Sequence, residues 1–337
     1  MEENKIISYK GFDENMQCRG FKYEVGKEYK MDGNIKCCKR GFHACESPME
    51  VWDYYDMLTS RFAKVEQSGK IEKEENSTKV CSSRIKIKAE LKLVDIINIG
   101  VEWLKDITSP YKVKADGVLN DNGDRRRQIG SSGDSAQIGS SGNSAKIGSS
   151  GNSAKIGSSG DSAQIGSSGD SAKIGSSGDS AKIGSSGYYA KIGSSGDSAQ
   201  IGSSGDSAKI GSSGDSAKIG SSGYYAKIGS SGDYAKIGSS GDSAQIGSSG
   251  NSAQIGSSGY SAQIDSTGED SVVMCAGNKS IAKATVGSWI TLAEWKWNDK
   301  KKRDVPVCVK TEYVDGENIK ADTWYQLKNG KFVEVNE

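Results

Sequence analysis

Gly193-Ser194-Ser195-Gly196-Asp197-Ser198-Ala199-Gln200-Ile201 is one copy of the nine-residue unit that decides the fold. The unit recurs so strictly that sixteen isoleucines, from Ile129 to Ile264, each follow the last by nine residues. A fixed period of this kind indicates a stack of near-identical structural units. Within each unit Ala and Ile lie two apart, as in Ala199 and Ile201. That spacing points both to one face of a short strand, with the intervening Lys or Gln facing outward. Gly-Ser-Ser-Gly is turn chemistry. One strand and one turn make half a coil of a flattened β-solenoid. Two units then form one coil of about 18 residues and two facing parallel sheets. About eight coils, each rising about 4.8 Å, give a rod roughly 35 to 40 Å long.

The tyrosines test the coil length independently. Tyr188, Tyr224 and Tyr260 replace the usual Asp or Asn at intervals of 36, two full coils, so they fall on one edge. Tyr189 and Tyr225 extend this strip, and Tyr234 falls on the opposite edge. A flexible Gly/Ser linker has no reason to hold Ile in one register through sixteen units. An open solenoid end exposes a strand edge, so the flanking regions are expected to act as caps. A second copy of the chain is a candidate partner for the sheets, which makes a homodimer an expectation.

The rest of the composition narrows the function. The chain has 337 residues and a formal net charge of +1, and nine Lys balance nine Asp between Ile129 and Ile264. Nucleic-acid binding is not expected of such a surface, nor is mimicry of DNA. No stretch approaches the apolar length of a membrane span. Met1 to Lys5 lacks the apolar core of a signal peptide. Seven cysteines, with Cys37 and Cys38 adjacent, suit a reducing compartment. The protein is expected in the cytoplasm of the cell that makes it.

The flanks have ordinary globular composition. Strands are expected at Ile6–Tyr9, Arg61–Val65 and Ser83–Leu93, with a helix from Met49 to Leu58 after Ser47-Pro48. The whole chain therefore reads as mainly β. An α+β head occupies residues 1–115 and the solenoid 116–290. A small antiparallel β-hairpin cap occupies 291–337. Val273 and Ala282 continue the Ile column, and Trp289, Leu292, Trp295 and Trp297 supply bulk for closing the rod. Asp315-Gly316 and Asn329-Gly330 both carry the type I′ hairpin signal.

No complete catalytic motif is present. Cys37, Cys38, His43 and Cys45 form a metal-like cluster, but the spacing lacks the paired C-x2-C of structural zinc sites. Coordination of calcium in the turns would break wherever Asn143, Asn152 or Tyr188 replaces Asp. No metal and no cofactor is expected. The basic run Arg125-Arg126-Arg127 is read as solvated surface. Tyr188, Tyr189, Tyr224, Tyr225 and Tyr260 are the candidate protein-binding strip, because tyrosine joins a large apolar area to a polar tip.

Tyr9-Lys10-Gly11-Phe12, Cys18 to Lys27, and Gly41-Phe42-His43-Ala44-Cys45 resemble a phage- and prophage-associated domain of unknown function. That family often carries Ser/Gly-rich short-period repeats after the domain. The resemblance implies viral origin and a solenoid, and supplies no catalytic residues. The order of a Tyr-x-Gly strand, Gly-Phe-His, and a helix ending in Tyr54-Tyr55 is also similar to ADP-ribosyltransferases, which cradle NAD. On that likeness Lys10, His43, Tyr54 and Tyr55 form a ligand pocket. Lys10 stands in place of the first-strand His and no terminal Glu is placed, so active transfer is not expected. The expected function is a non-enzymatic, phage-type interaction protein, working in the host cytoplasm against a host defence system. An NAD-binding head and a virion structural component are the alternatives.

Overall fold

A computed structural model describes residues 5–74, 77–107, 118–121 and 128–336. Two compact units divide at Trp103/Leu104. The expected head–solenoid boundary at 115/116 lies outside the described residues, as does Arg125-Arg126-Arg127.

The first unit is built on strands β1 (Ile6–Phe12), β2 (Gln17–Cys18), β3 (Phe21–Lys22), β4 (Glu28–Lys30), β5 (Phe42–Cys45), β6 (Arg61–Lys73) and β7 (Lys79–Leu91). Five of them form an antiparallel sheet in the order β4-β7-β5-β1-β6, and β6 pairs back to β7, so the sheet closes on itself. Gln67 sits at the closure, fully buried. Its Nε2 donates to the Phe42 carbonyl at 2.7 Å and to Ser82 Oγ at 3.0 Å, and Ser8 Oγ donates to its Oε1 at 2.7 Å. A buried amide satisfied on both ends ties β1, β5, β6 and β7 together. Phe12, Tyr23, Phe42, Val65, Ile85 and Ile87 fill the interior.

Two helical readings change. The expected helix from Met49 to Leu58 is a short 3-10 helix, Pro48–Asp53. The chain turns away because the Asp56 carboxylate accepts the N–H groups of Leu58 and Thr59 at 2.9 and 3.2 Å. A helix that the sequence reading missed, α1 (Leu93–Ile107), buries Ile96, Ile97 and Val101. Their i, i+4 spacing is the signal that could have found it.

In the second unit, β8 (Val118–Asp121) pairs with the solenoid. Eighteen four-residue strands follow at nine-residue intervals, from β9 (Gln128–Ser131) to β26 (Ile281–Ala284). Alternate strands pair in parallel and in register: Ile138 lies beside Ile156, and Ile147 beside Ile165. The coil is thus 18 residues, with a twelve-stranded and an eleven-stranded sheet facing each other. Ala, Ile and the first Ser of each unit point inward, and Ile174, Ala181 and Ser176 are fully buried. The two outer faces differ. On the eleven-stranded sheet the outward glycines, such as Gly148, Gly166 and Gly184, are exposed and form a shallow trough of about 1440 Å³. On the twelve-stranded sheet Gly157, Gly175 and Gly193 are buried.

The corners adopt two conformations of one sequence. Up to Ser207 each corner is a Gly-to-Ala turn, as where Ala199 N–H donates to the Gly196 carbonyl at 3.3 Å. There Ser207 N–H donates to the Tyr188 carbonyl in the preceding coil at 2.9 Å. From Ser216 onward the corner peptide is flipped. Ser216 N–H donates forward to the Asp233 carbonyl at 2.8 Å, and Ser216, Tyr225, Ser243 and Ser261 have φ of 52 to 56°. Residues other than Gly are disfavoured at such φ. Ser243→Gly is therefore expected to stabilise the solenoid by about 0.5–1 kcal/mol, while Ser207→Gly gives no gain. Urea unfolding of the two variants checks this, and equal shifts would contradict it.

The cap continues the core. β27 (Trp289–Asn298) adds in parallel to β25 (Val272–Cys275), and β28 (Arg303–Tyr313) pairs with it antiparallel. β29 (Tyr325–Lys328) and β30 (Lys331–Glu334) form a hairpin on β26. Asn329 and Gly330 both have positive φ, as a type I′ turn requires. Asp315-Gly316 makes no hairpin. The Asp315 carboxylate accepts the N–H groups of Glu317, Asn318 and Ile319 and shapes an irregular loop. Of the residues expected to close the rod, Leu292 is buried, whereas Trp289 and Trp297 lie on the outward alternation of β27 and are exposed.

Candidate functional site

Lys10, His43, Tyr54 and Tyr55 line one cavity of about 800 Å³ in the head. Lys10 lies mid-strand on β1 and is buried. Its Nζ donates to the His43 carbonyl at 3.1 Å and to Cys18 Sγ at 3.4 Å. The rings of Phe12, Tyr23 and Tyr55 stand 5.5 to 5.9 Å from it. Among the described residues no carboxylate pairs with it. Burial holds its ammonium below the ordinary lysine range, and the Cys18 thiol partly offsets this.

The neighbouring side chains are positioned by close packing. A Cβ on Gly11 would collide with the Tyr55 ring, so Gly11 lets that ring lie across β1. Tyr55 Oη and Cys18 Sγ are 2.9 Å apart. Burial, and then the Cys18 contact, push the Tyr55 phenol up. His43, on β5, accepts the Cys38 N–H at Nε2, at 2.9 Å. Burial, together with Lys10 and Lys79, lowers its pKa, so its ring is neutral at pH 7. Tyr54 is half exposed, with Lys79 Nζ 4.4 Å from its ring centroid. Phe21, Tyr23 and Tyr29 form an edge-to-face cluster with centroids 4.9 to 5.3 Å apart.

The cavity's charge was not foreseen. Besides Lys10 it is lined by Arg19, Lys30, Lys39, Arg40 and Lys79, and among the described residues no Asp or Glu lines it. Arg40 is braced by the Asp32 carbonyl at 2.9 and 3.2 Å. Arg19 and Cys38 are left-handed at φ 53 and 64°. Strained backbone of this kind concentrates at functional sites. Arg19 lies within the quoted segment Cys18 to Lys27 and Arg40 just before Gly41, but neither was singled out; their convergence comes from the closed sheet.

The metal-like cysteines do not converge. Cys45 is buried, and its thiol is pushed up to about 12 by burial and by Glu50 and Asp53. The Cys38 thiol instead meets Lys79 Nζ at 3.3 Å. Among the described residues no group of three or more His, Cys, Asp or Glu is arranged to hold a metal.

The tyrosine strip lies in the second unit. Tyr188, Tyr224 and Tyr260 occupy the corners leading into the twelve-stranded sheet, and Tyr234 one leading into the eleven-stranded sheet. All are exposed, at 41 to 64%, as are Tyr189 and Tyr225. Asp206 and Asp242 separate the three tyrosines of the first column, so their rings form no continuous stack. Tyr188 and Tyr189 touch each other, with centroids 4.5 Å apart.

The head cavity is thus rich in Lys and Arg and lined with aromatic rings, on a closed antiparallel sheet. Residues 6–99 match a domain of unknown function, DUF7666, and that stretch includes every cavity residue. No curated protein and no solved structure matches the chain. Among the described residues no helix is long and apolar enough to cross a membrane.

Proposed function

We propose that this chain is a non-enzymatic binding protein of phage type. Its head captures an anionic ligand with an aromatic ring, of the nucleotide class that includes NAD. Its β-solenoid is a rigid scaffold for the tyrosine strip, in the cytoplasm of a host cell. The observation that carries the reading is the convergence of Arg19, Lys30, Lys39, Arg40 and Lys79 on a cavity whose lining, among the described residues, holds no carboxylate. Phosphates are matched by Lys and Arg donors, and a base or nicotinamide by the tyrosine faces. The same missing carboxylate argues against ADP-ribosyl transfer, because no lining anion would stabilise the cationic sugar that such a reaction passes through.

Titration calorimetry of the intact chain with NAD and ADP-ribose tests this, with uncharged adenosine as control. Both anions are expected to bind and adenosine to bind at least tenfold more weakly. Lys79→Met should weaken NAD about tenfold, the loss of one charge-assisted contact. Absence of heat with both anions, or equal affinity for adenosine, overturns the reading.

A second reading concerns the solenoid. Six exposed tyrosines on a rod of Gly and Ser favour a protein partner at the corners. Assembly into the virion and homodimerisation are further readings of the same surface. Mass spectrometry of purified particles and light scattering of the pure protein separate them.

A further inference from the structure

We propose that Lys10 is a carbonyl-reactive amine that captures phosphate-bearing aldehydes as an imine. The inference rests on the reading of the head cavity as an anion site and adds to it a covalent step. The class of ligand follows from the lining: cations for phosphate, rings for an aromatic part, and an amine for a carbonyl. A nucleotide carrying a reducing sugar has all three features.

The geometry is that of a nucleophile held ready. A buried ammonium normally stands beside a carboxylate, and among the described residues none pairs with Lys10. Its partners are a carbonyl oxygen and a sulfur, from His43 at 3.1 Å and Cys18 at 3.4 Å. A neutral amine donates its two N–H groups to these two acceptors and keeps its lone pair for the cavity that Lys10 lines. Burial, the largest effect, favours the neutral form; the Cys18 and Cys45 sulfurs oppose it, and the Arg19 charge adds a smaller push in the same direction as burial. Desolvation beside another cation is the established physical route to a nucleophilic lysine.

The step balances without an oxidant or reductant. The lone pair adds to the aldehyde carbon, and the carbonyl π pair moves onto oxygen, leaving a C–O single bond. One amine proton leaves and the oxygen is protonated, giving a carbinolamine. Loss of hydroxide, protonated to water, and of the second amine proton gives the C=N bond. The sum is R–NH2 + O=CHR′ → R–N=CHR′ + H2O. The Cys18 thiol and the Tyr55 hydroxyl, 2.9 Å apart, are the groups beside Nζ that can relay these protons.

Pyridoxal 5′-phosphate combines a ring, a phosphate and an aldehyde, so it is the first probe; ADP-ribose is the second. The intact chain is incubated with each, reduced with cyanoborohydride, digested and mapped by mass spectrometry. At pH 7 the adduct is expected on Lys10 at least tenfold faster than on any surface lysine. Labelling of Lys10 should rise less steeply with pH than labelling of surface lysines, which gain toward their ordinary pKa near 10.4. Lys10→Arg should lose the adduct while a thermal melt reports whether the head still folds. Adducts spread evenly over surface lysines, or an unlabelled Lys10 in the wild-type chain, overturn the inference. Calorimetric binding of ADP-ribose without trapping removes only the covalent step; trapping by pyridoxal 5′-phosphate without NAD binding supports Lys10 and removes the nucleotide reading.

Discussion

Gly205→Ala should lower the melting temperature of the solenoid by about 6–12 °C, whereas Gly202→Ala should leave it nearly unchanged. The two glycines lie three residues apart in one unit. A Cβ on Gly205 would drive into the carbonyl oxygen of Gly187, one coil earlier, while a Cβ on Gly202 meets nothing within 4 Å. Neither has positive φ, so the difference is one of space, not of backbone preference. Corner glycines stack at the interval of one coil, and no flexible side chain can yield there. Overpacking against fixed backbone costs about 3 kcal/mol. Each coil rests on its neighbours, so the damage should spread along the rod. Hydrogen exchange should show lost protection at Ile183, Ile201 and Ile219. Equal melting of the two variants would mean that the coils do not stack as described.

Removing residues 287–337 should convert a protein of fixed size into one that aggregates with concentration. The truncation uncovers β25 and β26 together with the buried side chains that the cap places against them. Ile290, Leu292, Val314, Ile319, Tyr325 and Leu327 all belong to the core cluster that runs through the solenoid. The exposed edge would be parallel, regular and apolar, the kind that templates further strands. In the intact chain that edge is replaced by β28, which carries Pro306, Lys310 and Arg303, and by the four-residue β30. Proline and charge at an edge oppose strand addition. Light scattering across a concentration series measures the effect, and a truncated chain that stays at one size would refute the capping role.

What the sequence disclosed depends on repetition. Each Ile gives a weak signal, but sixteen at one interval leave only one way to bury them, and the tyrosine interval of 36 sets the coil. The cap was legible where local chemistry governed, as at Asn329-Gly330. It was misread at Asp315-Gly316, where one carboxylate gathers three N–H groups instead. The head is the reverse case. Its sheet closes because β1 and β5 pair with the β6–β7 hairpin from far away in the chain, sealed by Gln67, and no local pattern announces those pairings. Lys10, His43, Tyr54 and Tyr55 were foreseen together by resemblance and do share a cavity. Arg19, Arg40 and Lys79 reach it from separate segments, so their common charge emerges only after folding.

The two corner forms have a further consequence. Gly205–Ile210 and Gly214–Ile219 are the same hexapeptide, Gly-Asp-Ser-Ala-Lys-Ile, yet they fall on opposite sides of the change. The local sequence therefore does not choose the form; the adjoining coil does. Hydrogen-bond polarity runs backward in one half of the rod and forward in the other. Where the halves meet, the carbonyls of Asp197, Asp206, Asp215 and Tyr224 receive none of the inter-coil bonds made at every other such corner nearby. The junction is a domain wall in the sense used for ordered crystals.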